Sequence, residues 1–258
     1  MNEIEGRRVL VVGGSSGLGR CIGLGLAASS ARVAFAGRRA DMVASAAKQA
    51  GEGAIPVVCD VRDAGSVADA VDEVISAFGG LDALIYAAAV GPLVPLVAAG
   101  PDVWRTAMET NVIGAALVTA ATVPHLERAA GTAVYLSSVS ASQTSPWPGL
   151  GVYAVSKGAL DKLVEAWNVE HPTVSFTTLV TGDCIGGEGD GATQFANAWD
   201  PELAATFVGR WVEMGYITGG FVEIADLVAA IISIVTSGAR MPSVVIAPRP
   251  PTPNPAGG

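Results

Sequence analysis

Charge, lysine, histidine and cysteine are all scarce in this chain, and each scarcity closes off a class of function. Only 15% of the 258 residues are charged, and the net charge is −9, so a surface that grips nucleic-acid phosphates is not expected. Lysine occurs at Lys48, Lys157 and Lys162 alone. The three cysteines, Cys21, Cys59 and Cys184, are odd in number and widely spaced. They make neither a disulfide framework nor a zinc-ligand spacing, which fits a reducing cytoplasm. His125 and His171 lie far in sequence from every motif, and no metal-ligand cluster is expected. Glu3, Glu5, Arg7 and Arg8 precede the first apolar run, which is not a signal-peptide pattern. No apolar run reaches the length of a membrane span, so no membrane association is expected. Small-residue runs such as Ala87-Ala88-Ala89 are frequent but do not recur with a fixed period.

Apolar residues, by contrast, make up 50% of the chain. That is ample for one large core in a single domain over residues 1–247. Short apolar, β-branched runs read as buried strands at Arg8–Val12, Arg32–Ala36, Ile55–Cys59, Asp82–Tyr86, Ala133–Leu136, Thr173–Val180 and Ser243–Ala247. Helical spacing separates them: a helix running to Ala28, one opened by Asp41 as N-cap, then Ser66–Phe78, Asp102–Ala130 with Pro124 kinking it, Val152–Val169 and Glu223–Thr236. The alternation predicts an α/β fold, a doubly wound parallel sheet of about seven strands with helices on both faces. Pro248–Gly258 holds five prolines and two glycines in eleven residues and reads as an extended tail.

The first strand runs directly into Gly13-Gly14-Ser15-Ser16-Gly17-Leu18-Gly19. A glycine-rich turn between strand and helix lets backbone approach a pyrophosphate, and the helix N-terminus supplies N–H donors. Gly13, Ser15, Ser16, Gly17, Leu18 and Gly19 are therefore candidate cofactor contacts. In dinucleotide folds the end of the second strand meets the adenosine ribose. Here it carries Gly37-Arg38-Arg39, with no carboxylate for a 2′-hydroxyl and two guanidiniums suited to a 2′-phosphate. That favours NADP(H) over NAD. Asp60, followed by Val61, ends the third strand. Its carboxylate either accepts from an adenine amino group or caps the turn.

Tyr153 and Lys157 stand four residues apart on the Val152–Val169 helix, which stacks them on one face. A phenol titrates near 10 and is a poor acid or base at neutral pH. A neighbouring ammonium stabilises the phenolate, so the spacing predicts a lowered Tyr153 pKa. Asn111 sits among apolar Val112, Ile113, Ala116 and Leu117, and a buried amide needs partners. It either holds a water for a proton relay or bonds backbone.

Gly13-x-x-x-Gly17-x-Gly19, the Asp60 strand end, Asn111, Ser138 and Tyr153-x-x-x-Lys157, in this order and spacing, resemble the short-chain dehydrogenase/reductase family of the compact, single-domain kind, with its Rossmann-like fold. The resemblance covers nearly everything up to about residue 185 and the rest more loosely. It implies hydride transfer between a nicotinamide and a carbonyl or alcohol carbon. Tyr153 would be the general acid or base, Ser138 would orient the substrate oxygen, and Lys157 would hold the nicotinamide ribose. Asn111 would position a water linking Lys157 to solvent. Ala88 would line the cofactor site, and Ile185 would lie where backbone meets the carboxamide. Residues from about 183 to 222, with Phe195, Trp199, Phe207, Trp211, Met214, Tyr216 and Phe221, would form a lid, and an apolar substrate would follow if these side chains line the site. A 3-oxoacyl thioester or a ring ketone falls within that class. The family also forms homodimers or homotetramers through the long helices. The chain departs from the family pattern at Val12, at Tyr86-Ala87-Ala88-Ala89, at Thr181-Gly182 and in the interval from Ser138 to Tyr153, which leaves Ser140 as a rival to Ser138. A dinucleotide-binding sensor on the same fold is the alternative reading.

Overall fold

The computed structural model describes residues 4–184, 186–187, 192–193, 195–217 and 220–249. Seven strands form one sheet: β1 (Arg8–Val12), β2 (Arg32–Gly37), β3 (Ile55–Val58), β4 (Ala83–Tyr86), β5 (Thr132–Ser138), β6 (Ser175–Thr181) and β7 (Ser243–Ile246). Their order is β3-β2-β1-β4-β5-β6-β7, and every pairing is parallel. The direction of winding reverses between β1 and β4, where a cleft opens at the carboxyl ends of the strands.

Helices cover both faces of the sheet, which is why its central strands are largely apolar, although β5 and β6 also bury Ser137, Thr177 and Thr178. Val9 and Val11 point to one core with Phe35, Val43, Leu26 and Ile231. That core lies under α1 (Gly17–Ala28), α2 (Ala40–Ala50) and α9 (Ile224–Thr236). Leu10 and Val12 point to the other with Val74, Val118, Tyr135 and Leu160. That face is covered by α3 (Ala64–Phe78), α5 (Gly114–Ala129) and α7 (Gly151–Glu170).

Several element boundaries differ from the sequence reading. Arg39, not Asp41, caps α2, and Asp41 falls in its first turn, where a carboxylate complements the helix dipole. Asp63 caps α3 by accepting from the Ser66 N–H at 2.8 Å, so the helix starts two residues before Ser66. Pro124 sits inside α5, whose helical run continues past it to Ala129. The break in the α pattern comes earlier, at a π-helical segment, Glu109–Ile113, joining α4 (Pro101–Met108) to α5. The stretch Pro101–Ala129 is long and apolar enough, by length and composition, to cross a membrane, which a search for uninterrupted apolar runs missed. Here α5 packs on α3 and α4 on α7. The loop before α7 contains one helical turn, α6 (Val139–Ser142). One further helix follows β6, α8 (Pro201–Glu213).

Candidate functional site

A cleft of about 750 Å³ runs across the carboxyl ends of the strands. One end is the glycine turn. Gly13 has φ +87°, and a Cβ there would stand 2.6 Å from the Ala88 nitrogen. A Cβ on Gly19 would stand 2.3 Å from the Gly13 carbonyl oxygen. The turn is thus stripped to backbone where β1 meets the next strand. Its first two amides, Gly13 and Gly14, both donate to the Ala36 carbonyl, at 2.9 and 3.0 Å. Ser16 caps α1 without a side-chain hydrogen bond, so the first N–H groups of the helix remain available at the cleft. Ser15, Gly17 and Leu18 complete the lining there.

Arg38 and Arg39 extend from the end of β2 and are exposed at the cleft rim. Arg39 donates to the hydroxyls of Ser15 at 2.9 Å and Ser16 at 2.8 Å, which fixes it over the glycine turn. The Asp60 carboxylate takes both the backbone N–H and the guanidinium of Arg62, and this pairing holds its pKa down to about 2. Arg62, which the sequence reading passed over, therefore stands beside the two strand-end arginines in the cleft wall. Val61 is buried against Gly114, and Ala88 and Ala89 line the cleft floor.

The other end of the cleft holds Tyr153 and Lys157, brought there because α7 packs along β5 and β6. Lys157 is 2% exposed, and its ammonium donates to the Leu136 carbonyl at 2.7 Å. The same ammonium lies 5.8 Å from the centre of the Tyr153 ring. Burial pushes the Lys157 pKa down to about 8. The expected lowering of Tyr153 is not what the geometry produces. Burial dominates and pushes the phenol up to about 12, while Ser138 opposes it through a hydrogen bond and the Asp161 charge adds to it. Ser138 and Ser140 are not independent rivals. Their hydroxyls lie 2.9 Å apart, and Ser138 also accepts from the Ser140 N–H at 3.2 Å. Ser140 is buried, whereas Ser138 is half-buried and is the one that acts on Tyr153.

Asn111 is fully buried in the π segment. Its oxygen accepts from the Val90 N–H at 2.8 Å, and its amide donates to the Val90 carbonyl at 2.9 Å and to the Ser156 hydroxyl at 2.8 Å. Both amide protons are spent, so this side chain fastens the Val90 loop to α7. No motif points to the Tyr86 hydroxyl. Its phenol donates to the Thr110 carbonyl at 2.6 Å, one residue before Asn111. A tyrosine closing an otherwise aliphatic buried strand is the signal that marks it.

Above Tyr153 lies an aromatic cover. Phe195 meets the Tyr153 ring edge-on at 5.1 Å, and Trp199 meets Phe195 at 5.6 Å. The Trp199 indole donates to the Gly91 carbonyl at 2.7 Å. Behind them Leu93, Leu150, Phe207 and Trp211 form a small core, joined by Trp147 and Tyr216. Met214 and Phe221, expected among the lid residues, point outward at 44% and 47% exposure. Trp147 was missed because its loop shows no helical period. Ile185 lies outside the described residues.

The sequence model of the short chain dehydrogenase family matches residues 7–184. A short chain dehydrogenase of Pseudocercospora fijiensis is 34% identical over 174 residues, covering 65% of this chain and 56% of that one. An 11-beta-hydroxysteroid dehydrogenase-like protein of Arabidopsis thaliana is 32% identical over 190 residues, covering 70% of this chain and 60% of its own. The matched stretch thus spans less than two thirds of these relatives' length. Among solved structures, an alcohol dehydrogenase of Thermococcus sibiricus complexed with 5-hydroxy-NADP aligns at TM-score 0.77 and 21% identity, covering 94% of this chain and 96% of that one. A gluconate 5-dehydrogenase of Burkholderia cenocepacia in complex with NADP and tartrate aligns at 0.78 and 23%, covering 95% and 96%. These two share the fold. With that match over residues 7–184, and with the glycine turn, Tyr153 and Lys157 lining one cleft, the chain belongs to the short-chain dehydrogenase family.

Proposed function

We propose that this protein is an NADP(H)-dependent oxidoreductase acting on an apolar ketone or secondary alcohol. The observation that carries the reading is one cleft with a bare-backbone turn and two exposed arginines at one end and Tyr153 and Lys157 at the other, with Ser138 hydrogen-bonded to Tyr153. The residues fit a dinucleotide: no Cβ is tolerated at Gly13 or Gly19, α1 offers uncapped N–H donors, and no acidic residue follows β2. Gly13, Ser15, Ser16, Gly17, Leu18 and Gly19 would cradle the pyrophosphate, and Arg38 and Arg39 the 2′-phosphate. The fold neighbours' NADP complexes support the same preference over NAD. When bound, the nicotinamide supplies or accepts the hydride.

Each side chain then has one task. Ser138 hydrogen-bonds the substrate oxygen and orients it. Tyr153 gives its phenolic proton to that oxygen in reduction and takes it back in oxidation. Lys157 keeps a positive charge beside the phenol and holds the ribose hydroxyls. Leu93, Val94, Phe195 and Trp199 give the substrate end its apolar character and exclude water. A homodimer or homotetramer through the α4–α5 and α7 surfaces belongs to the same reading, since Ile113 and Val155 are about half exposed there.

The test is fluorescence titration with NADPH and NADH in the wild type and in Arg38→Ala and Arg39→Ala, followed by an NADPH-oxidation assay over a panel of ketones and 3-oxoacyl thioesters. Tight NADPH binding that weakens by roughly 1.5–3 kcal/mol in the variants, with NADH little affected, supports the cofactor assignment. Failure to bind either nucleotide sinks it. A second reading, a dinucleotide-binding sensor, draws on the Phe195 ring seated against Tyr153. Binding without turnover across the panel would favour that reading.

A further inference from the structure

Next to Lys157 lies a small set of buried polar groups that the proposed chemistry does not use. Asp161 follows Lys157 by four residues on α7, so the two side chains share a face of the helix. It is not among the residues lining the cleft. Ser137 shares the face of β5 on which Ala133 and Tyr135 meet Leu160 and Val164 of α7. One oxygen of Asp161 and the hydroxyl oxygen of Ser137 are both buried, and neither has a hydrogen-bond partner among the described residues. Burial raises the Asp161 pKa, and the nearby Ser137 hydroxyl and the Lys157 charge each oppose that rise. Buried oxygens of this kind are normally paired, and a buried carboxylate needs a cation or donors. The cation that acts on it is Lys157, whose ammonium has three protons and, among the described residues, one hydrogen-bond acceptor, the Leu136 carbonyl.

We propose that Asp161 is the counter-charge of Lys157, a positioning residue that keeps the ammonium protonated inside the protein. The consequence for catalysis rests on the role proposed for Lys157, but the interaction itself does not. Toward the far end of α7, Glu127 pairs with His171 and Arg240 donates to Asn168. Tyr153 shares the helix and feels Asp161 directly. Glu165, one turn on, pushes the Asp161 pKa up and is paired with Lys162. Asp102 and Arg105 of α4 pair with each other. Glu109 of the π segment acts on Arg62. The strands β5 and β6 and the turn α6 carry no charged residue. Asp161 thus raises the proton affinity of Lys157 against the burial that lowers it.

With only three lysines in the chain, the test is direct. Protein labelled with [13Cε]lysine gives three side-chain NMR signals, assigned with Lys48→Arg and Lys162→Arg, and each is followed against pH without cofactor or substrate. The Lys157 midpoint, near 8 in the wild type, is expected to fall by about half a pH unit or more in Asp161→Asn, about threefold in proton affinity, and to recover in Asp161→Glu. An unchanged midpoint in Asp161→Asn overturns the proposal. The wild type carries a second test that does not depend on how the variants fold. The Asp161 carboxyl signal in [13C]aspartate-labelled protein must step at the Lys157 midpoint, and a flat trace there also overturns it. Neither measurement uses nucleotide, so failure here is distinct from failure of the oxidoreductase reading.

Discussion

Replacing Tyr86 by phenylalanine removes one oxygen from the centre of the molecule and tests whether that oxygen holds the π segment. Tyr86 is wholly buried, and its phenol donates to the Thr110 carbonyl at 2.6 Å. Burial holds its pKa well above the ordinary value, so it remains a donor at every accessible pH. The ring stays in Phe, and with it the packing on Tyr135 at 6.3 Å, so no cavity opens. What is lost is the bond, together with the cost of a carbonyl left without its partner, about 1–3 kcal/mol. For a chain of this size each kcal/mol moves Tm by about 2–4 °C, so a fall of about 2–12 °C is expected. Urea unfolding should give the same loss at an unchanged m-value. Truncation to alanine removes the ring as well and should cost about 3–5 kcal/mol. Thr110 adjoins Asn111, whose amide ties Val90 to Ser156, so NADPH affinity should fall along with stability in Tyr86→Phe. A Tyr86→Phe change below about 0.5 kcal/mol would mean that the hydroxyl pins nothing, because that is the range of inert surface substitutions.

Four further outcomes follow from the same geometry. Gly13→Ala meets both φ +87° and the Ala88 nitrogen at 2.6 Å; fluorescence titration should find NADPH affinity lost, and unaltered affinity would remove the turn from the site. Tyr153→Phe should abolish turnover in the carbonyl panel while leaving NADPH affinity within about threefold, since the phenol acts on the substrate oxygen. At pH 7 Tyr153, near 12, is protonated and Lys157, near 8, is an ammonium. The rate of carbonyl reduction should therefore hold to about neutrality and decline as Lys157 loses its proton, and a rate still climbing at about pH 9 contradicts the assignment. Arg8 and Asp82 form a bidentate pair across β1 and the start of β4, at 2.8 and 2.7 Å, which holds the Asp82 carboxyl below its ordinary range. A lowered folded pKa contributes stability above the unfolded value of about 3.9 that is lost as pH falls through the folded one. Asp82→Asn should cost about 1.5–3 kcal/mol at pH 7 by urea unfolding, with the gap from wild type narrowing at about pH 3.

The sheet was legible because burial on both faces makes a central strand a mostly apolar run. Arg8–Val12 shows this with four apolar residues that divide evenly between two cores. Helix starts were less legible. Asp63 and Asp41 are both aspartates just ahead of a helical pattern, yet only Asp63 caps, because Asp41 lies one residue beyond the helix start at Ala40. The π segment left no trace in hydrophobic periodicity, since one extra residue in a helix shifts the pattern less than a turn does. The polar bonds that hold it are distant in sequence. Tyr86 holds Thr110 and Asn111 holds Val90, and those bonds connect residues more than twenty positions apart.

The site was legible as a list of residues and not as a set of charges. Four-residue spacing is enough to bring Tyr153 and Lys157 to one face, but the spacing alone implies a phenol made more acidic by its neighbour. Two distances reverse that inference. The ammonium is drawn 2.7 Å from the Leu136 carbonyl, while it stays 5.8 Å from the Tyr153 ring centre, so the lysine charge is turned toward backbone. Burial penalises the phenolate, Asp161 adds to that, the Ser138 hydroxyl offsets only part of it, and the phenol rises toward 12. A protonated tyrosine beside a protonated lysine is poised to give a proton away, which suits reduction of a carbonyl in the proposed chemistry.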